Sequence, residues 1–417
     1  VKTLAISKEK HFGVQKQVLK LKSKQEYLAL RKLYHLSKNM YNVGLYSVRQ
    51  HFFKTKEYLN YHLCKQNENY QLMGSAAAQQ TLKKVEENFK SFFGLQKMKE
   101  RKANIPRYIA KDGFFELSYP QFKLQEDGTF NIPTSPTFKK EFGMINIQFP
   151  INLHAENINE IRIIPKYNAH YFEIEYVYEI EVKKRRLSEN EALSIDLGID
   201  NFAACIDTLG NAFIIDSKRI KSVNRWYNKE NARLDSIKNK QKVTQLTSRQ
   251  IRILQKRNHI LHDYLNKTVS HMIQHCLEHG ISKIVVGHNE GWKNKSNMGK
   301  RANQRFVQIP HSLWMKKMES MCERYGIVFM KQEESYTSKA SFLDDVPLPV
   351  FTATNHKGLI FSGKRIYRGL YQTKSNRLIN ADINGAANIL RKCTHTSALA
   401  GKVVRGLLAV PVRIRLT

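Results

Sequence analysis

The order of apolar segments between residues 193 and 392 restricts the fold of this chain more than any other feature. Their periodicity predicts three strands, a long helical region, and then strand, helix, strand and helix. Strands and helices in this order favour a mixed sheet flanked by helices. The predicted segments lie at about 193–197, 202–206, 211–215, 217–279, 283–288, 310–325, 327–331 and 382–392.

The N-terminal half has a different pattern. Residues 1–22 are predicted to form one or two lysine-rich strands, helical periodicity covers 23–103, and short β-type segments come next. Alternation of apolar and polar residues is clearest in YFEIEYVYEI, as expected for a half-buried strand. The simplest arrangement is a small β-barrel that begins with residues 1–22, is interrupted by the helices, and is completed by residues 104–185. The charged stretch 183–192 is the predicted linker between this half and the mixed sheet.

The chain is strongly basic. Its 417 residues include 69 Lys and Arg against 36 Asp and Glu, a net charge of +33. This excess predicts a polyanionic partner, because Lys and Arg gain affinity for polyanions by releasing counterions. A membrane surface is the weaker alternative, since no apolar run approaches the ~18 residues that span a bilayer and residues 1–20 lack the apolar core of a signal peptide. We therefore expect a cytoplasmic protein that binds nucleic acid.

The region 217–279 concentrates positive charge on one or two long helices. A solvated helix face usually interleaves both signs, whereas acids are few in this region, which favours phosphate contacts. A solvated face remains the alternative. The residues predicted to bind nucleic acid are Lys218, Arg219, Arg225, Arg252 and Arg257, together with Arg365 and Arg368 nearer the C-terminus.

The five cysteines are isolated in the sequence, without a C-x-x-C pair. This pattern predicts single buried thiols rather than a disulfide framework or a cysteine-rich zinc site. His271, His275 and His279 share one helical face. No neighbouring acid or cysteine completes a metal shell for them, so they are not predicted to bind a metal.

Three acids stand where predicted strands or helices begin or end. Asp196 lies at the end of an apolar strand, Glu290 lies just past another, and Asp382 lies in the first turn of a helix. That helix carries the small residues Gly385, Ala386 and Ala387, which would let it pack closely on a sheet. Taken singly, the three acids have ordinary explanations as a turn residue, a loop residue and a helix-capping acid.

Taken together, the three acids predict a metal-dependent active site. Divalent cations such as Mg²⁺ or Mn²⁺ prefer oxygen ligands that converge from different elements. Bound there, they activate water and stabilise the leaving oxygen in phosphodiester hydrolysis. We therefore predict that Asp196, Glu290 and Asp382 are both the metal ligands and the catalytic residues of a nuclease.

The segments that carry these acids resemble the motifs of a known family. SIDLGIDNFAACID, KIVVGHNEGW and NADINGAANILRK resemble the first, second and third RuvC motifs of the TnpB/OrfB proteins of insertion sequences, which are similar to compact type V CRISPR effectors. EESYTSKASFLDD resembles a further stretch of the same family. The resemblance is specific over about residues 190–392, whereas the N-terminal half agrees only in layout.

The resemblance implies a multidomain α+β protein. Residues 1–22 and 104–185 would form a wedge-like β-barrel, 23–103 a helical recognition insertion, and 190–417 an RNase H-like RuvC nuclease domain with a basic helical insertion at 217–279. It also implies a guide RNA derived from the transposon end, a double-stranded DNA target beside a short motif, and Mg²⁺-dependent cleavage. The expected setting is a prokaryotic nucleoid, with a monomeric protein favoured.

The chain departs from the family at one place. Many relatives carry a four-cysteine zinc ribbon between the second and third motifs, whereas this chain has no cysteine from Glu323 to Lys392. We therefore predict a degenerate, cysteine-free region at 333–380 and no structural zinc. Two alternatives to an RNA-guided DNA endonuclease remain, namely a guide-RNA-dependent DNA-binding repressor without cleavage and a RuvC-fold transposase or resolvase.

Overall fold

The chain folds into two compact units, Val1–Ile180 and Glu181–Thr417. A computed structural model describes residues 11–57, 59, 65–98, 103–182, 186–289, 309–344, 346–350, 360–394 and 408–416. None of the helices in these ranges combines the length and apolar character needed to cross a bilayer.

Three of the four described helices of the first unit begin at a side chain that caps the first turn. The helix predicted from Ser23 is confirmed, because the Ser23 hydroxyl accepts from the Glu26 amide at 3.1 Å while the Glu26 carboxylate accepts from the Ser23 amide at 3.3 Å. This reciprocal pair satisfies two amides that the first helical turn leaves without partners. The helices are α1 (Lys24–Thr55), α2 (Glu68–Met73), α3 (Ser75–Lys97) and α4 (Pro136–Phe142).

The strands of the first unit form two antiparallel sheets. They are β1 (His11–Val18), β2 (Leu117–Tyr119), β3 (Thr129–Asn131), β4 (Asn146–Gln148), β5 (Ile158–Lys166) and β6 (Tyr171–Ile180). One sheet has the order β1-β6-β5-β2, and the other pairs β3 with β4. Helices α1 to α3 thus separate strands of one sheet, as predicted, but the described strands leave that sheet open and do not close the predicted barrel.

The second unit is built on a six-stranded mixed sheet. Its strands are β7 (Ser188–Leu197), β8 (Asn201–Asp207), β9 (Ala212–Asp216), β10 (Ile281–Gly287), β11 (Val328–Gln332) and β15 (Val412–Ile414), in the order β11-β10-β7-β8-β9-β15. The meander β7-β8-β9 is antiparallel, whereas β10 is parallel to β7 and to β11. The predicted linker 183–192 is wrong in its second half, because β7 already begins at Ser188.

Helices pack on both faces of this sheet. They are α5 (Lys218–Lys240), α6 (Ser248–Glu278), α7 (His311–Tyr325) and α8 (Ala381–Thr394). A small antiparallel sheet of β12 (Lys364–Tyr367), β13 (Leu370–Gln372) and β14 (Leu378–Asn380) leads into α8. The apolar residues of α6 and α7 cover one face of the large sheet, and those of α8 cover the other.

Alternation along β7 decides which side chains meet α8. Leu193, Ile195 and Leu197 pack in the core with α6 and α7. Successive side chains of a strand point to opposite faces, so Ser194 and Asp196 face α8. The Ser194 hydroxyl accordingly donates to the Ala386 carbonyl of α8 at 2.7 Å. The sheet therefore presents Asp196 to the helix that carries Asp382.

Candidate active site

Asp196 lies against Gly385 of α8, on the face of the sheet that this helix covers. It is the penultimate residue of β7, one residue beyond the Ile195–Val286 pair that joins β7 to β10. A side-chain carbon at Gly385 would lie 2.5 Å from Oδ2 of Asp196, which is shorter than any ordinary contact. The prediction that small residues let this helix pack closely is therefore confirmed.

Asp382 occupies the first turn of α8, as the sequence predicts. The cap is provided by a neighbour, because the amides of Asp382 and Ile383 donate to the Asn380 side-chain oxygen at 3.0 and 3.2 Å. The Asp382 carboxylate accepts instead from the Asn201 amide at 2.6 Å and from the Arg365 guanidinium at 3.2 Å. Its oxygens therefore point away from the helix backbone, as a ligand or catalytic acid requires.

Glu334 is the acid that the sequence reasoning missed. Strands β10 and β11 are parallel, with Gly287 opposite Gln332, and Glu334 comes two residues later. Two hydrogen bonds fix it to Asn289, from the Asn289 side-chain amide to Oε1 at 3.2 Å and from the Glu334 backbone amide to the Asn289 side-chain oxygen at 3.3 Å.

Gly287 makes room for the Glu334 side chain. A side-chain carbon at Gly287 would lie 2.6 Å from Oε2 of Glu334. Because Gly287 lies on β10, which separates β11 from β7 in the sheet, the Glu334 carboxylate extends across β10 towards Asp196. Gly287, at the end of β10, thus leaves space for Glu334, which follows β11, to extend towards Asp196 of β7.

The carboxylates interact electrostatically. Burial raises the pKa of Asp196 well above its usual range, and the charges of Glu334 and Asp382 raise it further, against an opposing effect of Arg365. Burial, followed by the charge of Glu333, raises the pKa of Glu334 to about 7, against an opposing effect of Lys392. A cation that bound here would relieve this repulsion and displace protons.

Two of the predicted nucleic-acid-binding residues border this cluster. Arg365 of β12 contacts Asp382 at 3.2 Å, and Arg368, in the turn after β12, pairs with Asp200 at 2.6 Å. Lys221 of α5 also pairs with Asp200. Both arginines keep substantial exposure, 43% and 78% of the side chain, so they can reach a phosphate brought to the acids.

The other predicted nucleic-acid-binding residues divide into two groups. Arg219 pairs loosely with Asp263 at 4.0 Å, and Arg257 donates to the Asn224 side chain at 2.8 Å, which joins α6 to α5. The remaining three are exposed on α5 and α6, and they are Lys218, Arg225 and Arg252.

Glu290, the predicted third acid, lies outside the described residues. Glu334 could have been found by topology, because the segment IVFMKQEE ends a strand next to the one that ends in KIVVG. Carboxyl ends of neighbouring parallel strands lie at the same edge of a sheet, where ligand sites gather. The sequence alone does not reveal that these two strands are neighbours.

The donor set suits a hard divalent cation. Asp196, Glu334 and Asp382 offer carboxylate oxygens, the ligands that Mg²⁺ and Mn²⁺ prefer, and the pKa of Asp196 is raised first by burial and then by the charges of Glu334 and Asp382. Within the described ranges, no three His, Cys, Asp or Glu side chains are already arranged around a common metal position. Arg365 and Asn201 contact Asp382 there, so its carboxylate would exchange these contacts for a metal.

Comparison with known sequences shows which family this chain is similar to. Residues 175–293 match the family model OrfB_IS605, described as a probable transposase. This match contains Asp196 and helices α5 and α6. The resemblance to the TnpB/OrfB proteins is therefore confirmed.

Individual relatives extend the comparison to most of the chain. The TnpB-like protein ORF457 of Acidianus two-tailed virus is 25% identical over 402 residues, which cover 87% of this chain and 83% of that protein. Among solved structures, Cas12f1 in its complex with sgRNA and target DNA is similar with a TM-score of 0.55 at 15% identity, covering 88% of this chain and 83% of that one. At this identity the likeness concerns the fold, which is a mixed α/β, multidomain one.

Proposed function

We propose that this protein is an RNA-guided DNA endonuclease of the TnpB type, which cleaves target DNA beside a short motif by metal-dependent hydrolysis. The observation that carries the proposal is that buried Asp196 of β7 lies against α8, whose first turn holds Asp382, and that Asp382 and Glu334, which follows β11, both act electrostatically on the Asp196 carboxylate. The family match and the shared fold with Cas12f1, a protein solved with sgRNA and target DNA, support RNA and DNA as partners.

In this proposal the acids hold Mg²⁺ or Mn²⁺, and Arg365 and Arg368 hold the phosphate. Such a cation, when bound, activates water and stabilises the leaving oxygen. Asp196 and Asp382 are proposed as ligands and catalytic residues. For the third acid, the motif resemblance predicts Glu290, whereas the geometry favours Glu334.

The remaining basic surface is proposed to hold the nucleic acids. Lys218, Arg225 and Arg252 are exposed on α5 and α6, where each added phosphate contact would strengthen binding in a salt-dependent way. Residues 1–22 and 104–185, as the wedge, and residues 23–103, as the recognition region, are proposed to read the short motif. Residues 190–417 are proposed as the RuvC-like nuclease domain.

The test begins with the whole chain purified together with the RNA that it retains. The complex is incubated with Mg²⁺ and a plasmid library in which a target matching that RNA has randomised flanks. Wild type is compared with Asp196→Ala, Glu334→Gln and Glu290→Gln, and with Glu126→Gln as a matched control at an exposed acid of the first unit.

We expect guide-dependent cuts from wild type and Glu126→Gln. Asp196→Ala and Glu334→Gln should lower the cutting rate by roughly three orders of magnitude, because metal ligands supply several kcal/mol of transition-state stabilisation. Loss of cutting in Glu290→Gln but not in Glu334→Gln would assign the third acid to Glu290 instead. A target that wild type binds but never cuts would replace the endonuclease with a repressor, and joined DNA products would indicate a transposase.

A further inference from the structure

The segment after β11 forms turns of its own and is also held on α8 by side chains of that helix. Asn384, Asn388 and Lys392 are spaced four residues apart, so they form one row along the helix. The two asparagines are 1% and 0% exposed, and the Lys392 side chain is 5% exposed. All three donate to the segment Glu333–Phe342, which here is called the tethered segment.

The asparagines fix the middle of the tethered segment. The Asn388 side-chain amide donates to the carbonyls of Thr337 and Ala340, both at 2.8 Å. The Asn384 amide donates to Ala340 at 2.8 Å, while its oxygen accepts from the Phe342 amide at 2.9 Å. These bonds satisfy backbone groups that would otherwise be buried without partners.

Lys392 fixes the start of the tethered segment. Its ammonium donates to the Glu333 carboxylate at 2.7 Å, to the Ser335 carbonyl at 2.8 Å and to the Pro349 carbonyl at 3.4 Å. The first two acceptors belong to the residues immediately before and after Glu334. The lysine therefore holds both neighbours of the acid that extends towards Asp196.

A lysine this buried is tolerated because its three hydrogens all find acceptors. Removing an ammonium from water is costly, and good geometry with full hydrogen bonding is needed to offset that cost. A displacement of Glu333 or Ser335 would leave one hydrogen of the buried ammonium without an acceptor. The arrangement thus penalises movement of the chain on either side of Glu334.

We propose that Lys392 is a positioning residue for the metal site, which acts by fixing the backbone that carries Glu334. This inference rests on the proposed nuclease function. Partners of this kind orient metal ligands, and their loss typically costs about 10–100-fold in metal affinity.

One helix would then set all three acids of the site. Asp382 is in the first turn of α8, Gly385 lies against Asp196, and Lys392 is in the last turn. Ten residues of helix span about 15 Å. Rigid-body placement of α8 on the sheet would therefore fix the relative positions of acids from β7, β11 and α8 itself.

The test measures metal binding as well as cutting. Mn²⁺ binding to the RNA-loaded protein is followed by electron paramagnetic resonance, and the cutting rate is measured as a function of Mg²⁺ concentration. The variants are Lys392→Met and the double variant Lys392→Met/Glu333→Gln, which leaves no unpaired buried charge if the single variant fails to fold. Two further variants are compared with them. Glu333→Gln keeps an acceptor for Lys392. Lys331→Met removes the β11 lysine of an exposed pair with Glu319 of α7.

We expect Mn²⁺ affinity to fall roughly 10–100-fold in both Lys392 variants, with cutting largely recovered at high Mg²⁺. Lys331→Met should bind and cut like wild type, and Glu333→Gln, which keeps an acceptor for Lys392, should be impaired less than Lys392→Met. If Glu333→Gln is as impaired as Lys392→Met, the lysine merely neutralises a charge and the positioning role is overturned. The role is also overturned if the folded Lys392 variants bind Mn²⁺ like wild type. A wild type that neither binds Mn²⁺ nor cuts would instead overturn the proposed nuclease function.

Discussion

Two glycines determine how closely the acids approach one another. Gly385 leaves room for Asp196, and Gly287 leaves room for Glu334. Neither glycine adopts a left-handed conformation, so space rather than backbone freedom explains both residues. A methyl group at Gly385 would therefore act directly on a carboxylate, whereas one at Gly287 would meet the Ile389 side chain at 2.5 Å as well as the Glu334 carboxylate at 2.6 Å.

We predict that Gly385→Ala impairs cleavage without unfolding the protein. Alanine favours helices over glycine by up to about 1 kcal/mol, but here its methyl carbon would displace the Asp196 carboxylate. A misplacement near 1 Å can lower a rate by about 100-fold. Single-turnover cutting rates and thermal unfolding measure the two effects separately.

Gly94→Ala is the matched control for this prediction. Gly94 is also helical, in α3, with nothing within 4 Å of an added side-chain carbon. Gly94→Ala should stabilise the protein slightly and leave cutting unchanged. Equal cutting by the two alanine variants would show that Gly385 has no role in the site.

At the scale of single residues, the sequence predicts an acid that lies at the end of a strand or at the start of a helix. It does not predict an acid whose side chain extends across a neighbouring strand. Asp196 and Asp382 are found by their position next to an apolar strand and at a helix start. Glu334 depends on which strand lies beside which, and on Gly287 being small. These are facts of tertiary pairing, which local periodicity does not encode.

Among the elements, the β8–β9 turn is attached to α6 by one buried acid. Asp207 is 0% exposed and accepts from the backbone amides of Leu209 and Asn211 and from the Asn211 side chain. Nε2 of His275 contacts Oδ2 of Asp207 at 2.9 Å, the oxygen that also accepts from the Asn211 side chain. One of the three histidines on that helical face therefore has a structural partner.

We predict that Asp207→Asn destabilises the second unit by about 3 kcal/mol at pH 7, because it breaks a buried charged hydrogen-bond network. Burial alone would raise the pKa of Asp207, but hydrogen bonds from His275 and Asn211 outweigh it and lower the pKa below its usual value. A lowered pKa means that the stabilisation is fully present above the unfolded-state value of about 4 and is lost as pH falls further. Urea unfolding should therefore show a constant difference from pH 8 to about 5 that narrows below about pH 4.

Asp263→Asn is the control, since Asp263 is 46% exposed and pairs with Lys267 on the surface of α6. Its effect should stay within about 0.5 kcal/mol. A difference between Asp207→Asn and wild type that does not narrow in acid would contradict the charged network.

Helices were easier to predict than the closure of a sheet. Periodicity correctly predicted that α1 starts near residue 23 and that α7 ends at residue 325, before Gly326, which is left-handed. The predicted barrel depended on how short strands pair over long sequence separations. Strands β3 and β4 pair with each other and not with the larger sheet, which the sequence pattern did not indicate.

At the scale of the whole molecule, positive charge is the property that any partner meets first. The net charge of +33 is carried by both halves of the sequence, so attraction to nucleic acid does not depend on one patch. Contributions of individual residues should appear in the salt dependence of binding rather than in its presence or absence.

We predict that replacing Lys218, Arg225 and Arg252 together with Gln lowers the slope of log affinity against log salt for double-stranded DNA. Each lost phosphate contact reduces that slope by about 0.9. Filter binding or fluorescence anisotropy over a range of KCl concentrations measures it. The charge-preserving exchange of Lys for Arg and Arg for Lys at the same positions should keep the wild-type slope, and an unchanged slope in the Gln variant would mean that these residues do not contact phosphate.

The row of donors on α8 has a consequence for chemical resistance. In a zinc ribbon, thiolates hold the chain, so oxidants and chelators can both release it. In this chain the tethered segment, which lies at the start of the region 333–380, is attached to α8 by amide and ammonium groups, which neither reagent attacks. If the protein is the proposed nuclease, we expect a chelator to stop cutting while leaving the tethered segment as protected from proteolysis as before. Cutting should then resume at once when Mg²⁺ is restored, even after exposure to peroxide.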